Sequence, residues 1–248
     1  MPETLPYRTP QTYPVGQRKT TVVEFVGPPG VGKTTSCNCF AEKLKAKGAK
    51  VCRSEDLKKY FRELNLLKKM QLYARCLAFN FFTILRFSKV MAQHKVFGLN
   101  SLYRYLRLAV FQLTLNEMVK TKAVDFVLLD QWMIQELWSA TIFKTGAVYK
   151  IHPELKEFYF PTDYLFYFDL DLEKAADRIG NRSHGRSRFD QMTPEKRLAE
   201  MKKYTAYLHQ LYLNADCPEK HMLSTEQNPD QNGELFLKLL APVLPSQS

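Results

Sequence analysis

Short apolar runs alternate along this chain with longer segments that repeat at the helical period. The runs are rich in β-branched and aromatic residues and are found at Thr21–Gly27, from about Lys50, at Val124–Asp130, at Tyr164–Asp171 and near Lys220–Leu223. Apolar runs of this length, interspersed with helical segments, are typical of buried parallel strands. The pattern therefore predicts an α/β fold with three layers, in which helices cover both faces of a parallel sheet.

The helical segments carry recognisable end signals. A helix is predicted directly after the loop at 27–32, and Gly48 is placed to close it. Residues 57–122 contain no proline and are predicted to be helical, with a break at 98–101 after which Ser101 caps a second long helix. Further helices are predicted after Asp171, from Thr193-Pro194 to about Leu213, and from about Gly233 to the C-terminal region.

Residues 1–19 differ from the rest of the chain in composition. They include Pro2, Pro6, Pro10 and Pro14 and no apolar segment of the kind that a signal peptide needs. We expect this segment to be extended and flexible. Residues 20–248 have the length of one α/β domain and are predicted to form a single domain.

The chain is basic, and most of its excess charge lies in one segment. The formal net charge is +11, and residues 56–123 hold 13 Lys or Arg against 3 Asp or Glu, a balance of +10. Such a surface favours phosphorylated small molecules or nucleic acid. The apolar run Leu77–Leu85 is too short to span a membrane. Five cysteines without a paired framework indicate reduced thiols and a cytoplasmic protein.

Residues 27–35 read GPPGVGKTT and fit the phosphate-binding pattern G-x-x-x-x-G-K-[ST]. The loop follows a predicted strand and opens a predicted helix, which is the context in which such a loop binds phosphate. Lys33 is predicted to reach the β- and γ-phosphates of ATP, and Thr34 to bind Mg²⁺. The predicted nucleotide-binding residues are Gly27, Pro28, Pro29, Gly30, Val31, Gly32, Lys33, Thr34 and Thr35.

Asp130 ends an apolar run, and its carboxylate is predicted to stand near the metal and to act in catalysis. An aspartate after a strand is also a common turn or cap residue. The phosphate loop upstream favours the metal-binding role. The chain contains no Asn-Lys-x-Asp base-recognition string, and no Asp-x-x-Gly string stands directly after the second predicted strand. A GTPase is therefore not expected.

Four arginines occur within 11 residues, at Arg178, Arg182, Arg186 and Arg188. The first two lie one helical turn apart and share a face, whereas the others follow in a glycine-containing loop. Planar guanidinium groups match the charge that a phosphoryl-transfer transition state spreads over its equatorial oxygens. We therefore predict a lid at 178–190 that excludes water and carries the catalytic residues Arg182, Arg186 and Arg188. A solvated basic loop is the alternative interpretation.

The order of GPPGVGKTT, a carboxylate at a strand end, LLDQW and DLDLEKAADRIGNR…RSRFD resembles the thymidylate kinase and deoxynucleoside kinase branch of the P-loop nucleoside and nucleotide kinases. The resemblance covers roughly residues 20–240 and is strongest at the loop. It implies a five-stranded parallel sheet in the order 2-3-1-4-5, a lid after the fourth strand, and ATP with Mg²⁺. It also implies that Arg178 lies near the adenine, the other lid arginines near the phosphates, and the loop 225–228 at the edge of the base.

The chain departs from this family at Gln131. The family commonly has Asp-Arg or Glu-Arg after the third strand, whereas this chain has Asp130-Gln131. Either an arginine of the lid or of a helix replaces the missing one, or the chemistry differs. The segment 56–123 is also longer and more basic than a minimal thymidylate kinase needs.

The acceptor side has two sets of candidate residues. Glu55 follows the second predicted strand and is predicted to act as general base if the acceptor is a hydroxyl; a helix first-turn acid is the alternative. A phosphate acceptor would depend on arginines instead. Arg104 and Arg107 are predicted to bind the acceptor, because by resemblance they lie closer to the usual acceptor-phosphate arginine. Arg75 is a further candidate, since it shares a helical stripe with Phe79, Phe82 and Arg86, although such a stripe is also typical of a core or solvated face.

These observations predict an ATP-dependent phosphotransferase that acts on a nucleoside or nucleoside monophosphate. Two alternatives remain at this point: a kinase of polynucleotide 5′-hydroxyl groups, and a P-loop ATPase that binds nucleic acid or a protein partner. The predicted partner is a small nucleoside or nucleotide acceptor, with nucleic acid and a second copy of the chain as further predicted partners.

Overall fold

The structure is a computed structural model of the chain and describes residues 20–95, 98–142, 158–181, 188–226 and 228–244. A parallel sheet lies at its centre, formed by β1 (Thr21–Val26), β2 (Val51–Arg53), β3 (Phe126–Leu129), β4 (Tyr164–Asp169) and β5 (Glu219–Ser224). The strand order is β2-β3-β1-β4-β5. The predicted α/β fold class and the predicted strand order are therefore confirmed.

Helices connect the strands and cover both faces of the sheet. Within the described ranges they are α1 (Lys33–Ala46), α2 (Ser54–Glu63), α3 (Leu66–Gln93), α4 (Leu99–Lys122), α5 (Met133–Thr141), α6 (Leu172–Gly180), α7 (Pro194–Asn214) and α8 (Pro229–Leu240), followed by a 3-10 turn at Ala241–Val243. Three of them, α2 to α4, lie between β2 and β3 and form the predicted basic region. The carboxyl ends of the parallel strands share one edge of the sheet, where ligands bind in this class of fold.

Aromatic side chains fill the space between the sheet and the helices α1 and α8. Phe25 of β1, Phe40 of α1 and Phe236 of α8 are fully buried. The rings of Phe40 and Phe236 stack with centroids 4.2 Å apart, and Phe25 meets Phe40 edge-on at 5.7 Å. These large buried contacts fix α1, and with it the loop that precedes α1, against the sheet.

On the other side, α5 is attached to both β1 and α7. The buried carboxylate of Glu24 in β1 accepts a hydrogen bond from the Ile134 backbone N–H at 2.8 Å, in the first turn of α5. The indole N–H of Trp138 donates to the Tyr204 carbonyl oxygen of α7 at 3.0 Å. Helix α5 is therefore held at its first turn by the sheet and at its middle by α7.

The long helical segment differs from the prediction in two places. It is divided a second time before α3, where the Asn65 side chain accepts a hydrogen bond from the Lys68 N–H at 2.8 Å and caps the helix. Gly98, and not Ser101, is the N-cap of α4. Ser101 lies inside α4, and its hydroxyl donates to the Ala140 carbonyl oxygen of α5 at 3.1 Å. Ser101 thus joins two helices instead of starting one.

Two other helices were not predicted correctly. Helix α5 was missed because nearly all of its residues are buried, so it lacks the polar face that marks an amphipathic helix. The last helix begins at Pro229 with Asn228 as its cap, four residues before the predicted start at Gly233. Gly233 instead lies inside α8, where the side chain of Lys43 occupies the space that a Cβ would need.

None of the helices in the described ranges combines the length and apolar character that crossing a bilayer requires. The N-terminal segment 1–19 and the centre of the predicted lid, 182–187, lie outside the described residues.

Candidate active site

The phosphate loop connects β1 to α1 and depends on glycine at two of its positions. Gly30 and Gly32 have φ angles of 87° and 92°, in the left-handed region that L side chains rarely adopt. Gly30 also approaches α6 so closely that a Cβ would overlap the Ala175 carbonyl oxygen. The loop is therefore pressed against α6, with its backbone directed around the start of α1.

Lys33 lies across this loop. Its buried ammonium group donates to the carbonyl oxygens of Gly27 at 2.7 Å and Pro28 at 2.9 Å. A positive charge is thus held where the N-terminal amides of α1 already favour an anion. The predicted nucleotide-binding residues 27–35 form one continuous loop and first helical turn, as the phosphate-binding pattern requires.

Thr34 and Asp130 connect the loop to β3. The Thr34 hydroxyl donates to Asp130 Oδ2 at 2.7 Å, and the Asp130 N–H donates to the Ser54 hydroxyl at 3.1 Å. A hydroxyl and a carboxylate are hard oxygen donors of the kind that Mg²⁺ uses together with phosphate oxygens and water. Among the described residues no cluster of three or more His, Cys, Asp or Glu could hold a metal by itself. The pair could contribute two oxygen ligands to a Mg²⁺ ion.

The start of α2 brings further charged residues to the same edge of the sheet. Asp56 accepts a hydrogen bond from the Arg53 N–H at 2.9 Å and so caps α2, whereas Glu55 is 65% exposed and lies 3.8 Å from the Arg53 guanidinium. Arg53 also donates to Asn38 of α1 at 2.8 Å. Arg53 and Asn38 were not recognised in the sequence, although Arg53 ends a strand at the ligand-binding edge.

Arg104 and Arg107 of α4 both bind Glu136 of α5. The Arg104 guanidinium donates to Glu136 Oε2 at 2.6 Å, and that of Arg107 donates to Oε1 at 2.8 Å. Arg188 is close by: burial lowers its pKa, the charge of Arg104 lowers it further, and Glu136 opposes the shift. Two guanidinium groups therefore share one carboxylate and a third lies nearby, which leaves an excess of positive charge that favours an anionic ligand.

Two cavities border this Arg–Glu cluster, defined here as Arg104, Arg107, Glu136 and Arg188. The larger has a volume of about 210 Å³ and is lined by Asn100, Ser101, Arg104, Ser139, Ala140, Ile142 and Arg188. The smaller, of about 90 Å³, is lined by Ser54, Leu57, Lys58, Arg107, Leu108, Phe111, Leu129, Gln131, Trp132 and Glu136. Gln131, which follows Asp130 in the chain, is one of the residues that line the smaller cavity.

Two buried donors at the smaller cavity have no hydrogen-bond partner within the described part of the chain. They are the Nε of Arg107 and the indole Nε1 of Trp132. A buried donor without a partner is unfavourable by about 1–3 kcal/mol. Both residues are among those that line the smaller cavity. Neither Trp132 nor Glu136 was recognised in the sequence, because the missed helix α5 carries Glu136 and follows Trp132.

The predicted lid arginines are only partly described. Arg178 of α6 lies beside the loop, with its Nη1 at 3.9 Å from the position that a Cβ on Gly32 would occupy. Arg188 lies in the Arg–Glu cluster, and the next residue, Phe189, is buried with its ring parallel to that of Trp138 at 6.1 Å. Arg182 and Arg186 lie outside the described residues.

The structure does not bring Arg75 to either cavity. Its guanidinium donates to Glu117 of α4 at 2.8 Å and is 52% exposed. Phe79 and Phe82, from the same predicted stripe, are 66% and 80% exposed. Arg75 therefore lies apart from the Arg–Glu cluster, whereas Arg104 and Arg107 belong to it.

No family model matches the sequence, and no curated protein matches it. Among solved structures, a deoxyadenosine kinase from M. mycoides, described with the products dCMP and a flexible dCDP bound, is similar to this chain with a TM-score of 0.48 and 15% identity. The similarity covers 90% of this chain and 100% of that one. What is established for this chain is accordingly its own geometry: a parallel sheet of order 2-3-1-4-5 with a phosphate loop after β1.

Proposed function

We propose that this chain transfers the γ-phosphoryl group of ATP to a nucleoside or a nucleoside monophosphate. The observation that carries the proposal is the position of two consecutive residues. The Asp130 carboxylate accepts a hydrogen bond from Thr34 at the phosphate loop, whereas Gln131 lines the smaller cavity. The proposed donor and acceptor sides are therefore neighbours, because Asp130 and Gln131 are joined by a peptide bond. Direct phosphoryl transfer requires the two substrates to be this close.

On the donor side, the loop amides and Lys33 would hold the β- and γ-phosphates. Thr34 and Asp130 would help to hold a Mg²⁺ ion, which would supply positive charge to offset that of the phosphates. Arg178 would contact the bound nucleotide from α6. Arg182 and Arg186 would stabilise the transferring phosphoryl group as part of a lid at residues 178–190. The lid would belong to a single domain that spans residues 20–248.

On the acceptor side, the smaller cavity combines aromatic and charged side chains. Phe111 and Trp132 offer apolar ring surface to a planar base, while Arg107 and Glu136 offer donors and acceptors to its polar edge. An acceptor larger than this cavity would extend toward Arg104 and Arg188, since both cavities border the Arg–Glu cluster. Binding sites of this composition suit nucleosides and their phosphates.

The acceptor group decides which residues act. A hydroxyl acceptor would need a general base, and Glu55 is the proposed base because it lies in the first turn of α2, one residue after Ser54 of the smaller cavity. A monophosphate acceptor needs no base and would depend on Arg104 and Arg188. The Arg–Glu cluster would then supply the charge that the family obtains from the arginine replaced here by Gln131.

The two alternatives have weaker support. A polynucleotide would follow a continuous basic groove, yet Arg75, Arg104 and Arg107 of the basic region are each engaged by a carboxylate. A P-loop ATPase that acts as a switch would need no acceptor cavity next to Asp130. Both alternatives are outcomes of the experiment that follows.

The test is a transfer assay with γ-³²P-labelled ATP and Mg²⁺ over nucleosides, nucleoside monophosphates and 5′-hydroxyl oligonucleotides. We expect label in a small acceptor, and we expect Lys33→Ala to lower the rate by about 10³-fold or more because the transition-state charge loses its main cation. The control is Lys43→Ala, which removes another lysine of α1 that binds Glu234 away from the loop. Labelled oligonucleotide alone, or ATP hydrolysis without a labelled acceptor, would contradict the proposal.

A further inference from the structure

The larger cavity beside the Arg–Glu cluster has a composition that suits an anion better than a nucleobase. Its lining includes two arginines and three small polar residues, namely Arg104, Arg188, Asn100, Ser101 and Ser139. Among the described residues that line this cavity, none is acidic and none is aromatic. Aromatic rings usually support a planar base, whereas guanidinium, hydroxyl and amide groups are good donors to phosphate oxygens.

The start of α4 adds to the same preference. Asn100 and Ser101, which line the larger cavity, belong to the first turn of α4, a helix of 24 residues with Gly98 as its N-cap. That first turn contains no acidic residue, and no side chain in the described ranges caps it through a hydrogen bond. The positive end of the helix dipole therefore lies beside the cavity without a carboxylate in its own turn to offset it.

The charges of the Arg–Glu cluster match those of a phosphate monoester. The Glu136 carboxylate accepts hydrogen bonds from both Arg104 and Arg107. Burial lowers the pKa of Arg188, and the charge of Arg104 lowers it further, so two cations that repel each other stand at one cavity. The four residues carry three positive charges and one negative, a balance of +2, whereas a phosphate monoester carries about −2 at neutral pH.

The smaller cavity has a different character. Its lining combines Lys58 and Arg107 with the acidic Glu136, and it includes two aromatic residues. The Glu136 carboxylate stands between the two cavities, because its Oε1 binds Arg107 of the smaller one and its Oε2 binds Arg104 of the larger. A dianion is therefore favoured in the larger cavity, and an uncharged part of the same ligand is favoured in the smaller one.

We propose that the larger cavity binds a phosphate monoester of the acceptor, and that this phosphate is not the group that is phosphorylated. The proposal rests on the proposed function, since it divides the acceptor between the two cavities. The reacting group would be a hydroxyl in the smaller cavity, next to Gln131. The acceptor class is accordingly a nucleoside monophosphate with a free hydroxyl.

The transfer step follows from this arrangement. A bond forms between the acceptor hydroxyl oxygen and the γ-phosphorus, while the bond from that phosphorus to the bridging β–γ oxygen breaks and ADP leaves. The proton of the hydroxyl passes to Glu55, the proposed base. The product then carries two separate phosphate monoesters, whereas transfer to the phosphate itself would give a diphosphate.

The first test measures phosphate binding without ATP, so that it does not depend on transfer. Ser139→Asp adds a negative charge to the larger cavity, and Ser139→Asn is the matched control of nearly the same shape without the charge. Isothermal titration with inorganic phosphate should show binding about 10-fold or more weaker for Ser139→Asp than for Ser139→Asn, because like charges repel. The phosphate loop is identical in the two proteins, so the difference reports on the larger cavity.

A second variant covers the case in which Ser139→Asp disturbs the fold. Asn100 is exposed in the first turn of α4, where an acidic side chain stabilises a helix. Asn100→Asp should therefore unfold at the same temperature as the wild type or above it, and it should still bind phosphate more weakly. Unchanged phosphate binding in a folded Asn100→Asp protein, or equal binding by the two Ser139 variants, would overturn the proposal.

The third test compares a nucleoside with its 3′- and 5′-monophosphates as acceptors of γ-³²P-labelled phosphate, with ³¹P NMR of the products. We expect a KM about 10-fold or more lower for a monophosphate than for the nucleoside, two phosphate monoesters in the product, and loss of this preference in Ser139→Asp but not in Ser139→Asn. A diphosphate product, or equal KM values for the nucleoside and its monophosphates, would overturn the proposal. Transfer to no acceptor would contradict the proposed function, whereas a difference in phosphate binding between the Ser139 variants would still support the anion site.

Discussion

Glu136 of α5 accepts a hydrogen bond from Arg107 of α4 at 2.8 Å, beside a cavity that the neighbouring helix α2 also lines. The same carboxylate binds Arg104 at 2.6 Å. One acidic side chain thus sets the positions of two arginines on the acceptor side. Its removal should change acceptor binding more than it changes ATP binding.

We therefore expect Glu136→Ala to lower kcat/KM for the acceptor by about 10- to 100-fold, mainly through KM, because two guanidinium groups lose their orienting partner. The KM for ATP should change little. Steady-state kinetics with each substrate varied in turn measure both effects. The matched control is Glu117→Ala, which breaks the ion pair between Glu117 of α4 and Arg75 of α3. Equal effects of the two variants would show that the cluster has no special part in acceptor binding.

The close approach of Gly30 to α6 gives a second prediction. Gly30→Ala should abolish measurable ATP binding, because a Cβ at this position would overlap the Ala175 carbonyl oxygen and displace the loop. Isothermal titration with ATP and Mg²⁺ measures the loss.

Gly48→Ala provides the control for the backbone strain alone. Gly48 also has a positive φ, 80° against 87° for Gly30, but a Cβ there would meet no atom within 4 Å. We expect it to cost about 1 kcal/mol of stability and to bind ATP normally. If both variants bind ATP equally well, the contact with α6 is not required for the loop.

The buried carboxyl group of Glu24 should make stability depend on pH. Burial raises the pKa of Glu24 to about 8 from its ordinary value of 4.5, although hydrogen bonds from the Ile134 and Gln135 amides oppose the shift. The folded chain therefore holds this proton over a range in which the unfolded chain has lost it. The stabilising contribution is complete below pH 4.5 and declines as the pH rises through about 8.

We expect the free energy of unfolding to fall by roughly 2–4 kcal/mol between pH 5 and pH 8 because of this group. In Glu24→Gln the Glu24 part of this decline should be absent, because glutamine accepts the same backbone hydrogen bonds without titrating. Urea unfolding of both proteins at each pH isolates the Glu24 contribution, since the histidines are common to the two. Parallel pH profiles for the two proteins would contradict the prediction.

Arg197 is a buried cation whose hydrogen bonds go to backbone carbonyl oxygens. Its guanidinium donates to Phe189 at 2.9 Å, to Met192 at 3.0 Å and to Ala176 at 3.2 Å. Arg197→Met should remove about 2–4 kcal/mol of stability, because three carbonyl groups lose their donor. It should also weaken acceptor binding, since the Phe189 contact fixes the residue next to Arg188.

Thermal unfolding and acceptor kinetics test this pair of effects. Lys196→Ala is the control, because Lys196 is the exposed neighbour of Arg197 on α7. If Arg197→Met loses stability but its KM for the acceptor is unchanged, Arg197 stabilises the fold and has no part in acceptor binding.

The features of this fold that depend on residues close together in the chain could be predicted from the sequence. The phosphate loop and the helix start at Thr193-Pro194 follow from glycine positions and capping residues, whereas the strand order was implied only by the family resemblance. The strand end also pointed to Asp130, which accepts a hydrogen bond from Thr34 at the loop, whereas its roles in metal binding and catalysis stay predictions. These features involve neighbours in the chain, or the general geometry of parallel sheets.

The Arg–Glu cluster was harder to predict because it is built from long-range contacts. Arg104 and Arg107 were recognised by their charge, but Glu136, their partner, lies about 30 residues away on a helix without a polar face. Ser101 has the composition of a helix cap, yet its hydroxyl binds a different helix. Phe79 and Phe82 recur at helical spacing, which is also typical of a core face, and only the fold shows that both are exposed.

The parallel rings of Phe189 and Trp138 have a consequence for protein engineering. Residues 178–190 look like a cassette that could be exchanged between enzymes to alter how they hold a nucleotide. Here Phe189, near the end of that segment, is buried beside Trp138 of α5, the helix that also carries Glu136. A transplanted segment without an aromatic residue at this position should therefore disturb the packing of α5, so under the proposed function an exchange aimed at nucleotide binding should also change acceptor binding.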